Sequence, residues 1–96
     1  MINKLYQLTN KSNNKTLIVA KNENEAIEIS LASGFVKNQN NLKIKDFTQI
    51  YLTKERKEKG LNFDNLASGV FFQEIYNNGI NTWHTSLPPR LKKNNI

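Results

Sequence analysis

The sequence predicts a small α+β domain: a mainly antiparallel sheet of about five strands carrying two or three helices. Three observations lead there. The chain has 96 residues, room for one hydrophobic core and not two. Short alternating apolar segments recur, separated by Asn-, Lys- and Gly-containing turns. Between them stand two stretches with helix-start chemistry, Asn22 with Glu25 and Asp46 with Gln49. The domain is expected to span residues 1–87, with 88–96 a flexible basic tail behind the Pro88-Pro89 pair.

Residues 4–9 and 16–21 read as a hairpin. Leu5 to Thr9 alternates, Leu17-Ile18-Val19-Ala20 is apolar and partly β-branched, and the polar run Lys11 to Lys15 supplies the turn. Asn22 opens a helix over 23–33, rich in glutamate in its first turns, where carboxylates suit the helix dipole, and closed by Gly34. Leu42 to Lys45 alternates as a short strand, after which Phe47, Ile50 and Tyr51 share one helical face. That helix is expected to run through the mixed-charge stretch 53–59 and stop at Gly60.

Residues 61–76 admit two readings. A continuous helix would align Phe63, Leu66, Val70 and Phe71, but Gly69 sits in its middle at a cost of about 1 kcal/mol relative to alanine. The reading preferred is a short helical turn at 64–67, a strand 70–76, a turn at Asn77-Asn78-Gly79 and a return strand 80–85. Facing residues in this hairpin would then have numbers summing to about 156. One face carries Val70, Phe72, Tyr76 and Ile80, with Glu74, Thr82 and His84; the other carries Phe71, Ile75 and Trp83, with Gln73, Asn81 and Thr85.

Several chemistries lack their residues. There is no cysteine, hence no disulfide and no thiolate nucleophile or ligand. His84 is the single histidine, which removes paired-imidazole metal sites. Neither a nucleophile elbow nor a phosphate-cradling glycine loop is present. No catalytic, cofactor or metal site is therefore expected, and an enzyme reading would require Asp64, Glu74 and His84 to converge. The absence of a long apolar run and of a secretory leader, together with the lack of cysteine, leads to the expectation of a cytoplasmic protein with no membrane contact.

The formal net charge is +6, with only two arginines among 14 basic residues. Sixteen asparagines, 12 lysines and nine isoleucines carry the compositional bias of an AT-rich coding sequence, so the positive charge by itself names no partner. The function expected is that of a non-catalytic interaction protein, adaptor- or inhibitor-like, contacting another protein through Phe71, Ile75, Tyr76 and Trp83. Both faces of the C-terminal hairpin carry bulky apolar groups, so either both are covered or one is open to a partner. The alternative is nucleic-acid contact through Lys54, Arg56, Lys57, Arg90, Lys92 and Lys93, with exposed aromatics stacking on bases. A homodimer through an uncovered edge strand is also compatible with this pattern.

Overall fold

The computed structural model describes residues 3–38, 40–52, 61–75 and 81–89, with the side chains of 74, 75 and 81 outside the description. The elements are β1 (Lys4–Thr9), β2 (Lys15–Ala20), α1 (Glu23–Ala32), β3 (Lys43–Asp46), α2 (Thr48–Tyr51), a 3-10 turn (Phe63–Asn65), β4 (Gly69–Ile75) and β5 (Asn81–Ser86). The strands form one antiparallel sheet in the order β3-β1-β2-β4-β5. This is the α+β architecture that the alternating segments imply.

The first hairpin closes by side-chain chemistry. Asn10 Oδ1 accepts hydrogen bonds from the backbone N–H groups of Ser12 and Asn14, both at 3.0 Å, and Asn13 takes the left-handed conformation at φ 66°. Asparagine tolerates that region because its short amide bonds locally. Glu25 N–H donates to Asn22 Oδ1 at 2.8 Å at the start of α1. The Glu25 carboxylate reaches back to accept from Lys21 N–H and also accepts from Ser68 Oγ, each at 2.8 Å. One side chain thus caps the helix and ties it to the segment entering β4. At the other end Gly34, at φ 84°, donates to Leu31 O, and Phe35 N–H donates to Ser30 O. This is the Schellman closure, for which glycine is suited because it has no Cβ.

Two clusters make the core, one on each side of the sheet. Tyr6, Leu8, Ile18 and Ala20 pack beneath Ala26 and Ile29 of α1. Leu5, Val19 and Phe71, from the opposite face, pack beneath Leu61 and Phe63, with Tyr51 and Leu52 alongside. Three consecutive β2 residues, Ile18, Val19 and Ala20, are fully buried, as in a strand covered on both faces. Hydrogen bonds hold the second cover in place: Asn3 N–H donates to Asp64 Oδ1 and the Asn3 side chain to Leu66 O, while Leu5 N–H donates to Thr48 Oγ1.

Two local expectations are corrected. Strand β3 occupies 43–46 rather than 42–45, and Asp46 is its last residue, not a helix cap. The N-cap of α2 is Phe47, without a side-chain cap; Asp46 Oδ1 instead accepts from Thr48 N–H. α2 closes at Tyr51 with Leu52 as its C-cap, so the expected continuation over 53–59 falls on residues outside those described. Over 61–75 the ambiguity resolves as the preferred turn plus strand, with Tyr76 and the expected Asn77-Asn78-Gly79 turn outside the described residues, and Gly69 explains why. A Cβ there would lie 2.8 Å from Ser86 O and 2.9 Å from Ser86 C, so only glycine allows the start of β4 and the end of β5 to come this close.

Candidate functional site

β4 and β5 pair over six positions, from Val70↔Ser86 to Ile75↔Asn81, in the register whose residue numbers sum to 156. β4 pairs with β2 at only two positions, Ile18↔Val70 and Val19↔Gly69. Past Val70 the β4–β5 ribbon therefore continues beyond its pairing with the rest of the sheet. Adjacent residues along it alternate between its two faces.

On one face Phe71 is 7% exposed. Its ring meets Tyr51 edge-on at 5.3 Å and Phe63 at 5.5 Å, geometries favoured by the aromatic quadrupole. Phe71 is thus a core residue, which corrects its assignment as an exposed contact: α2 and the 61–66 segment cover this face. Trp83 is half-buried against the same cluster, and its Nε1 is buried with no hydrogen-bond partner among the described residues. The strand position of Ile75 is described but not its side chain, and Tyr76 lies outside the described residues.

The other face is open along the ribbon. Phe72 is 40% exposed and stacks on His84, with ring centroids 5.4 Å apart and planes at 26°. His84 Nε2 and Thr82 Oγ1 share a hydrogen bond of 2.9 Å. Helix α1 covers the body of this face over Ile18 and Ala20 and leaves Phe72 uncovered. Sequence reasoning placed Phe72 and His84 on one face but did not single Phe72 out. No signal in the sequence singles it out, because its exposure follows from Val70 being the last β4 residue paired to β2.

The two sheet edges differ. β3 is four residues long, with Lys43, Lys45 and Asp46 exposed. Charge and shortness of this kind discourage further pairing. β5 is six residues long, Asn-Thr-Trp-His-Thr-Ser, with no lysine, arginine, carboxylate or proline. Among the described residues no strand pairs with its outer edge.

For other chemistry, Asp64 serves as an acceptor for Asn3 N–H beneath one face, whereas His84 stands on the opposite face. The described residues contain no cluster of three or more metal-ligating side chains, and among them no helix is long and apolar enough to cross a membrane. The basic set Lys54, Arg56, Lys57, Arg90, Lys92 and Lys93 lies outside the described residues.

Electrostatics are perturbed at two described positions. Burial raises the Tyr6 hydroxyl above its ordinary value, reinforced by the carboxylates of Asp46 and Glu23. Burial also pushes the Asp46 carboxyl up, but hydrogen bonds from Thr48 and the nearby Lys4 ammonium, 3.9 Å away, outweigh it and hold Asp46 below the usual range. Both groups belong to the β1–β3 side, away from the ribbon. Comparison with known proteins finds no protein-family model that matches this chain, and no curated protein or solved structure significantly similar to it.

Proposed function

We propose that this chain is a non-catalytic binding module that recognises another protein through the β4–β5 ribbon, in the cytoplasm. The observation carrying this reading is the placing of an exposed Phe72, stacked on His84, beside a β5 outer edge that bears no lysine, arginine or carboxylate and is unpaired among the described residues. An extended segment of a partner can add to such an edge by main-chain hydrogen bonds, with alternate side chains read by the ribbon faces. Phe72 supplies an aromatic anchor beside that edge. Trp83 and Ile75 then act from the ribbon itself, while Phe71 supports it from the core.

Affinity capture from the native host tests this, using wild type, Phe72→Ala and Thr82→Lys in parallel, with and without nuclease. The expected result is a protein retained by wild type after nuclease treatment and lost with both variants, whose melting temperatures stay within a few degrees of wild type. Loss of the captured protein on nuclease treatment alone would overturn the protein-contact reading in favour of a polyanion.

A further inference from the structure

The other end of the chain's chemistry lies in a cleft of about 520 Å³, where the β1–β2 turn meets the loop between α1 and β3. Asn10, Lys11, Phe35, Lys37, Asn38 and Asn41 line it. A smaller depression of about 330 Å³ adjoins it and adds Lys43. The sequence makes this region positive in a simple way. No aspartate or glutamate occurs in residues 1–22 or in 29–45, whereas those two stretches contain seven lysines. Folding brings the two acid-free stretches together at the cleft.

The asparagines are oriented by the turns they build. Asn10 Oδ1 is occupied by two backbone N–H groups, and Asn38 Oδ1 accepts from Asn40 N–H at 2.9 Å. With those oxygens engaged in the turns, the NH2 donors are the part of these two side chains left to serve a ligand. The carbonyl end of α1, which would repel an anion, has Ser30 O and Leu31 O taken up by Phe35 and Gly34 N–H. Phe35 is half-buried, packed against the Tyr6–Leu8 cluster, and forms part of the cleft wall. The cleft thus combines lysine charge, amide donors, no lining carboxylate and one aromatic wall. That chemistry suits a phosphate ester carrying a flat apolar ring.

We propose that this cleft binds a nucleotide unit, its phosphate held by Lys11, Lys37 and the asparagine amides and its base set against Phe35. The unit has two sources, a free mononucleotide or a single-stranded nucleic acid, and the site is separate from the β4–β5 ribbon. The experiment uses AMP and labelled oligo-dT and oligo-rU as probes, at low and physiological salt. Amide shifts in two-dimensional NMR report location, and fluorescence anisotropy reports affinity. The variants are Lys37→Glu and Lys11→Glu, both at exposed positions, and Lys21→Glu, a charge-matched control beyond the opposite end of α1. NMR dispersion verifies that each remains folded.

The expected result is that a probe shifts amides of residues 10–12 and 34–38 at low salt. Lys37→Glu and Lys11→Glu should each weaken binding about tenfold and flatten its salt dependence, with Lys21→Glu changing it less than about twofold. Equal affinity for AMP and the oligonucleotides identifies the free nucleotide as the source. Much tighter binding of an oligonucleotide identifies a single strand. Absence of shifts from every probe at low salt overturns the proposal. So does a Lys21→Glu loss equal to that of Lys37→Glu, which would mean attraction to overall charge rather than to a site.

Discussion

Phe71 and Phe72 are neighbours in β4 with opposite fates, and replacing each by alanine separates packing from recognition. Phe71 is 7% exposed and its ring is held edge-on by Tyr51 and Phe63, whereas Phe72 is 40% exposed and touches His84. Truncating a buried phenylalanine removes its transfer free energy and leaves a cavity, together about 3–5 kcal/mol. Against a total stability of about 5–15 kcal/mol for a domain of this kind, that is a large fraction. At about 4–8 °C per kcal/mol for a chain this size, Phe71→Ala should lower the melting temperature by well over ~10 °C. Phe72→Ala loses partial burial and one stacked ring, about 1 kcal/mol or less. Urea unfolding followed by tryptophan fluorescence and far-UV circular dichroism measures both, with an unchanged m-value showing that the denatured state is not the cause. The reasoning fails if Phe71→Ala costs less than about 1 kcal/mol, or if the two variants are equally destabilised.

Gly69→Ala must push Cβ against the Ser86 carbonyl, where β4 and β5 are paired and neither backbone yields cheaply. A loss of about 2–4 kcal/mol is expected, and thermal unfolding near wild type would refute it. Glu25→Ala removes the acceptor of both Lys21 N–H and Ser68 Oγ and should cost about 1–2 kcal/mol; Glu25→Gln, keeping the carbonyl oxygen, should recover most of that in the same denaturation assay. Trp83→Phe removes a buried N–H that has no partner among the described residues, so its melting temperature should equal or exceed that of wild type despite the smaller ring, and a fall of several degrees would contradict this. Tyr6 has a folded-state value above its ordinary 10.0, so the stability it contributes is full below that pH and is lost as pH rises through the folded-state value. Tyr6→Phe should accordingly flatten the alkaline limb of a pH–stability profile; Asp46→Asn removes the acid limb below the ordinary 3.8 and, by taking away one carboxylate that raises Tyr6, should flatten the alkaline limb only in part, since burial is the larger cause.

Much of the local architecture is legible in the residues because it rests on short-range chemistry. The β1–β2 hairpin, the Asn22–Glu25 start and Gly34 end of α1, and the β4–β5 register follow from alternation, capping and turn propensity over a few positions. The strand order was not legible, since β3 returns to the outer edge of β1 through contacts distant in sequence. Nor was the cover over Phe71. Both faces of the C-terminal ribbon carry bulky apolar residues, and the choice between them depends on Phe63 and Tyr51, which arrive from separate segments. Asn3, pinning that cover by two hydrogen bonds, has no pattern in one dimension at all. The lysine-and-asparagine cleft escaped for a similar reason: its two acid-free stretches look like compositional bias until the fold sets them side by side.

The contrast between the two outer strands limits how the protein can assemble. A lattice of copies growing strand upon strand needs two receptive borders per molecule, and the charged, four-residue β3 denies one of them. On the reading proposed above, whatever joins at β5 would close the structure after a single addition, which favours pairs or one-to-one complexes over fibrils.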